Sequence, residues 1–107
     1  MPATHENDWS DDELQAAVDA YLEMLRCEKK GHPYNKAEIN RSLRTAGGGI
    51  EGRTKGSVEY RMQNISAVLQ SEDLDWVKGY KPAANVGETV RARIWKMLQK
   101  RGVNTRR

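Results

Sequence analysis

Amides, cations and small side chains recur along one face of a predicted helix near the middle of the chain. The face carries Gly56, Tyr60, Gln63, Asn64 and Ala67, with Lys55 and Arg61 on its flanks and Arg53 shortly before it. Amides can hydrogen-bond base edges, cations can hold phosphates, and small residues leave room for a close backbone approach. The pattern predicts either a nucleic-acid contact surface or a face that packs against the C-terminal segment.

Residues with catalytic or metal-binding potential are few and scattered. The chain has one cysteine, Cys27, and two histidines, His5 and His32, so no spacing typical of metal ligands is present. No serine, histidine and acid, and no cysteine and histidine, fall in an arrangement that suggests catalysis. We therefore expect no enzymatic activity, no metal and no cofactor.

Charge is distributed unevenly along the 107 residues. Residues 1–52 contain six Lys and Arg against ten Asp and Glu, whereas residues 53–107 contain twelve against five. An acidic part joined to a basic part is typical of a domain that presents one surface to a polyanion. The alternative is that the basic part is only solvated surface.

The sequence also indicates the cellular compartment of the protein. No apolar run approaches the roughly 20 residues that span a bilayer, and no secretory signal pattern is present at the N-terminus. The single cysteine cannot form an internal disulfide. These features predict a soluble cytoplasmic protein.

Helices must position the candidate contact residues. The first predicted helix has the clearest start and end signals in the sequence. Ser10 followed by Glu13 is a capping box, and Trp9 can pack on Leu14 as a hydrophobic staple. An apolar stripe then continues to about residue 29, and Gly31 suits a helix end.

Three further helices follow. Asn35 caps a short helix that extends to about Thr45, and three consecutive glycines at positions 47–49 cannot continue it because glycine loses much backbone entropy in a helix. Thr54 caps the central helix. The core side of the central helix is predicted by an apolar stripe at helical spacing: Val58, Met62, Ile65 and Leu69. The last helix spans roughly residues 88–100.

The connection between the last two helices contains an aromatic residue between two lysines. Residues 74–77 alternate between apolar and polar types, which predicts a short extended piece or a turn. Lys78 and Lys81 then bracket Tyr80, an arrangement that can grip a phosphate backbone or stack on a base. The alternative is that the ring covers the core and the lysines are solvated.

Together these elements predict an all-α fold. We expect a small helical domain of four helices, with a tri-helical helix-turn-helix core and a C-terminal helix. Residues 9–101 would form this single domain, between a flexible tail at residues 1–8 and a basic tail at residues 102–107.

Two known families are similar to parts of this pattern. Trp9 with the acids after it, the short second helix and the turn Gly52-Arg53-Thr54 resemble the Myb/SANT type of helix-turn-helix over residues 9–70. Residues 56–69 and 79–85 resemble the N-terminal helical module that precedes nuclease or other effector domains in bacterial defence proteins, including HNH endonucleases of the modification-dependent restriction type. The second resemblance implies DNA targeting for a neighbouring effector. Since two distant histidines cannot supply an HNH metal site, we expect a free-standing version, a subunit or an excised module.

The leading hypothesis is a non-enzymatic DNA-binding domain that uses residues 55–71 as its recognition helix and is linked to bacterial restriction or phage defence. Two sets of residues would contact double-stranded DNA: Lys55, Tyr60, Gln63 and Asn64 at the bases, and Arg53, Arg61, Lys78, Lys81 and Arg91 at the phosphates. The rival hypothesis is a protein–protein interaction module of a defence or regulatory complex, which docks its partner through the third helix with Trp76, Tyr80 and Trp95. The expected partners are therefore DNA and a nuclease or other effector, without a membrane.

Overall fold

Residues 9–104 are described by the structure, a computed structural model. Within that range the chain forms four helices and no strand: α1 Asp11–Lys30, α2 Lys36–Arg44, α3 Lys55–Ser71 and α4 Glu88–Lys100. The predicted all-α fold of four helices is therefore confirmed. The expected tail at residues 1–8 and the last three residues of the expected C-terminal tail lie outside the described residues.

The ends of α1 are closed by the groups that the sequence provides for them. The Ser10 hydroxyl accepts from the Glu13 backbone N–H at 3.1 Å, and a Glu13 carboxylate oxygen accepts from the Ser10 backbone N–H at 2.9 Å. At the other end Gly31 has φ of +74°, a left-handed conformation that costs glycine little. Both predicted boundary signals of α1 are confirmed.

The glycine-rich loop after α2 is a tight structural turn. A Cβ atom at Gly48 would lie 2.1 Å from the Ser42 carbonyl oxygen, so no larger residue fits without moving the backbone. The turn returns the chain so that the Ile50 N–H donates to the Leu43 carbonyl at 2.9 Å, and Ile50 is fully buried. From there the chain reaches Thr54, whose hydroxyl caps α3 by accepting from the backbone N–H three residues later.

The core lies between α1, α3 and α4, and α2 packs against α3, with a hydrogen bond from Asn40 to the first residue of α3. Tyr21 of α1 joins three segments there, because its hydroxyl accepts from the Val77 N–H at 2.8 Å and is hydrogen-bonded to the Ser66 hydroxyl at 2.7 Å. Burial raises the pKa of Tyr21 to about 12. Tyr80 stacks on this ring at 6.4 Å between centroids and is only 4% exposed. The Tyr80 ring therefore covers the core, as the alternative interpretation of its loop expected.

Candidate nucleic-acid interface

An open groove of about 640 Å³ lies beside the N-terminal half of α3. One wall is α3 and the other is the segment that leads into α4, residues 81–87, here called the strap. The residues that line it are Thr54, Gly56, Ser57, Tyr60, Arg61, Asn64, Asn85, Val86 and Gly87. The N-terminal ends of two helices, α3 and α4, thus face the same groove. Helix N-termini favour anions because unpaired backbone N–H groups and the helix dipole point there.

Three hydrogen bonds hold the strap on α3. The Ala83 N–H donates to the Gln63 carbonyl at 3.1 Å, and the Asn64 carboxamide donates to the Ala83 carbonyl at 3.0 Å. The Tyr60 hydroxyl donates to the Asn85 carbonyl at 3.1 Å. The strap therefore occupies part of the α3 face for which the residue pattern predicted either DNA contact or packing.

Two of the predicted contact residues on α3 are buried. Asn64 is fully buried and Arg61 is 2% exposed, and an Arg61 guanidinium nitrogen donates to the Asn64 side-chain oxygen at 2.9 Å. Ala67 on the same face is 7% exposed. Of the two interpretations of this face, packing against the C-terminal segment therefore holds around Asn64, where the strap is hydrogen-bonded to α3, and DNA contact by the whole face is wrong. Asn64 and Arg61 support the groove from beneath.

Two other α3 side chains that were predicted to meet bases, Tyr60 and Gln63, lie nearer to solvent. Tyr60 is 36% exposed and is the one large hydrophobic residue classed as exposed between residues 9 and 104. Gln63 is half-buried. With Gly56 one turn before Tyr60, the accessible part of this face is the N-terminal half of α3.

Arg53 is held by the start of α1. Its guanidinium makes a two-pronged contact with the Glu13 carboxylate, at 3.0 and 2.9 Å, and lies 5.1 Å from the centroid of the Trp9 ring. Arg61 lies at the same distance from that ring. Arg53 holds the pKa of Glu13 below its ordinary value of 4.5. Arg53, one of the arginines predicted to hold a phosphate, thus takes part in the packing of α1 against α3.

The remaining predicted cations are dispersed. Lys55 and Lys81 are exposed, and no described carboxylate is within ion-pair distance of either. Lys78 is exposed and lies 5.8 Å from the centroid of the Trp76 ring. Arg91 is half-buried and donates to the Ser71 hydroxyl at the far end of α3, about 24 Å from Lys55 at 1.5 Å per residue. Of these four cations, Lys55 lies between two groove-lining residues in sequence, and Lys81 is the first residue of the strap.

Acids of α1 pair with arginines from the basic part of the chain. Besides the pair with Arg53, Asp11 binds Arg93 at 2.7 Å and Asp19 binds Arg101 at 2.8 Å. Ion pairs within the fold therefore neutralise part of the excess positive charge of residues 53–107. What remains for a polyanion is the smaller set of cations that have no carboxylate beside them.

One buried amide was not among the predicted site residues. Asn40 of α2 is 2% exposed; its side-chain nitrogen donates to the Lys55 carbonyl at 3.2 Å and its side-chain oxygen accepts from the Arg44 Nε at 2.6 Å. The sequence signal is an asparagine four residues before an arginine in a helix, a spacing that places the two side chains on one face. That spacing is common, so it does not reveal the bond to α3.

No group of three or more His, Cys, Asp or Glu side chains in residues 9–104 is placed to hold a metal ion. Across the same residues, none of the helices combines the length and the apolar character needed to cross a membrane.

Comparison of the chain with models of protein families, with curated proteins and with solved structures found no match.

Proposed function

We propose that this domain binds double-stranded DNA without catalysing a reaction, and that the groove beside α3 is its contact surface. The observation that carries the proposal is the grouping at one groove of an exposed aromatic ring, two helix N-termini and an exposed lysine without a carboxylate partner, with a second such lysine at the start of the strap. Tyr60 supplies the ring, and Lys55 and Lys81 supply the charge. Gly56 and Ser57 have small side chains that protrude little into the groove, so a duplex backbone can approach the start of α3.

The burial of Asn64 limits how the helix can meet DNA. The strap prevents α3 from lying lengthwise in a major groove, because its second half is covered. Entry by the N-terminal end remains open, and helix-turn-helix domains commonly contact base edges with the first residues of the recognition helix. In this arrangement Tyr60 and Gln63 face bases. Lys55, which was first expected at the bases, holds phosphates together with Lys81. Arg53, Arg61 and Asn64 act as supports of the surface.

The test is binding of labelled duplexes over a salt series, measured by fluorescence anisotropy. Each phosphate that the protein neutralises lowers the slope of log affinity against log salt by about 0.9, so two lysine contacts give about −1.8 and further contacts steepen it. The double variant Lys55→Ala/Lys81→Ala should bind more weakly and with a shallower slope.

A matched control is available on α4. Lys96 and Lys100 are also exposed lysines, but they adjoin α1 near Asp11 and Asp12 rather than the groove. Lys96→Ala/Lys100→Ala removes the same net charge and should change affinity much less. Equal losses in the two double variants would mean that the groove is not the contact surface.

The sequence resemblance of residues 56–69 and 79–85 to modules that precede nuclease domains is the basis of one extension of the proposal. In it the domain belongs to bacterial restriction or phage defence and directs a nuclease or other effector to DNA. The exposed Tyr60 ring offers an apolar contact to a base methyl group in the major groove. Duplexes with and without 5-methylcytosine should then differ in affinity, and Tyr60→Ala should abolish the difference.

The second candidate function is a protein–protein interaction module. Tyr80 cannot take part as expected, because it is buried against Tyr21. Tyr60 favours this candidate as well, since exposed aromatic residues are enriched at protein interfaces. Absence of binding to any duplex at low salt would reject DNA binding and favour this candidate.

A further inference from the structure

Asn40 connects two cations that belong to different helices. It accepts from the side chain of Arg44 on α2 and donates to the backbone of Lys55 at the start of α3. Because Asn40 is 2% exposed, water does not readily replace either bond. A buried amide that loses a partner carries the full desolvation cost, so both bonds are expected to persist in solution.

This contact restricts the guanidinium of Arg44. The Nε–H is directed at Asn40, and the four N–H groups on the two terminal nitrogens are left for other acceptors. Arg44 is half-buried, and no carboxylate between residues 9 and 104 is within ion-pair distance of it. An arginine held in one orientation loses less rotamer entropy when it binds a phosphate than a freely moving one.

The two other cations of α2 differ from Arg44 in this respect. Lys36 donates to the Gly79 carbonyl at 2.8 Å and lies over the Tyr80 ring, so it is used within the fold. Arg41 is exposed and faces Glu38 at 4.0 Å. Arg44 is therefore the α2 cation that is both anchored by a buried group and without a described carboxylate beside it.

We propose that Arg44 is a phosphate contact that Asn40 orients beside Lys55, so that the duplex backbone is held across the junction of α2 and α3. The ligand group is a phosphodiester of the DNA backbone, and the inference rests on the proposed DNA binding. Arg44 binds the phosphate directly, whereas Asn40 is a positioning residue. The interface then includes α2 as well as the groove.

The experiment compares Arg44→Ala with Arg41→Ala by duplex binding over a salt series. Arg44→Ala should lower affinity by about 3- to 10-fold near 0.1 M salt and reduce the salt slope by about 0.9, because one phosphate contact is lost. Arg41→Ala removes the same charge from the same helix and should change both values little. Thermal unfolding of each variant verifies that the compared proteins are folded.

Two variants test the orienting role. Arg44→Lys keeps the charge but cannot make the Nε contact with Asn40, so it should retain most of the salt slope and lose affinity. Asn40→Ala should lower affinity in the wild-type background and lower it clearly less in an Arg44→Ala background, where only its bond to the Lys55 carbonyl is left to lose. If Asn40→Ala does not fold, Arg44→Lys still tests whether the bond to Asn40 orients the side chain at position 44.

The outcomes separate the two proposals. If the wild-type chain binds duplexes and Lys55→Ala/Lys81→Ala weakens binding, but Arg44→Ala binds as the wild type does, the inference about Arg44 is rejected and the proposed function stands. If the wild-type chain binds no duplex at low salt, both are rejected.

Discussion

Two groups of three cations in this domain have different surroundings. Arg53, Arg61 and Arg93 gather around the start of α1, where Trp9, Asp11 and Glu13 contact them, and we call this the Trp9 cluster. Arg44, Lys55 and Lys81, the open cations, have no described carboxylate beside them. A charge count of the sequence gives both groups equal weight. The comparison shows that availability to a polyanion depends on what each cation touches in the fold.

The Trp9 cluster should matter for stability and the open cations for binding. In the Trp9 cluster the Arg53 and Glu13 side chains are only 18% and 19% exposed, so loss of either partner leaves a poorly solvated charge. The lysines among the open cations are solvated, and substitution of a solvated surface residue usually changes the free energy of unfolding by less than about 0.5 kcal/mol.

The largest effect is expected from Trp9→Ala. It removes a 2%-exposed ring from the core and from beneath two guanidinium groups, and large-to-small substitutions of this kind cost about 3–5 kcal/mol. The measurement is the free energy of unfolding in urea. Trp76→Ala, at a half-buried tryptophan, is the control and should cost clearly less. Equal costs would mean that the Trp9 cluster does not hold α1 on α3.

Substitutions of Arg53 and Lys55, two residues apart in sequence, compare the Trp9 cluster with the open cations directly. Arg53→Ala should lower the free energy of unfolding by about 1–2 kcal/mol, because it removes two charge-assisted hydrogen bonds that are only partly screened. Lys55→Ala should leave unfolding nearly unchanged and weaken duplex binding. Urea unfolding and anisotropy on both variants test this. A Lys55→Ala variant that is the less stable of the two would contradict the division.

Acid should weaken the Trp9 cluster before it affects the open cations. Arg53 lowers the folded-state pKa of Glu13, so this carboxylate contributes stability that is fully present above its ordinary pKa of 4.5 and is lost as the pH falls through the lower folded-state pKa. Unfolding in urea at a series of pH values below 5 measures the loss. Glu13→Gln should have a shallower decline than the wild type over that range, and identical declines would remove Glu13 as a cause.

The smallest effect is expected from Tyr60→Phe. The hydroxyl that it removes bonds the Asn85 carbonyl at an exposed position, where water can replace it, so the free energy of unfolding should change by at most about 0.5 kcal/mol. Amide exchange at Ala83, which is bonded to α3, should nevertheless become faster because the strap has one tie fewer. Unchanged exchange would show that the other two bonds hold the strap alone.

The fold could be predicted from local sequence because its boundaries are encoded locally. The cap residues Ser10, Asn35 and Thr54 each accept from a backbone N–H three residues later, and Gly31 ends α1 in a left-handed conformation. These signals need no knowledge of distant residues. The apolar stripe of α3 is likewise buried as predicted.

The candidate site was less predictable because it depends on contacts between distant residues. The strap bonds to Asn64 and Tyr60 across 19 and 25 residues, and Arg53 pairs with Glu13 across 40. Periodicity cannot show which side of a helix a later loop will cover. One signal was present in α3: residues 65–69 contain no charged side chain, which is typical of a helix surrounded by protein.

The Tyr21 hydroxyl has a consequence for how the connection from α3 to α4 fluctuates. Because it binds Val77 and Ser66 inside the core, we expect local unfolding that begins in the strap to stop before Val77. We therefore expect residues 81–87 to detach more easily than the segment at Val77, while the helices keep their packing. We expect the amide of Val77 to exchange only with global unfolding and that of Ala83 to exchange much sooner.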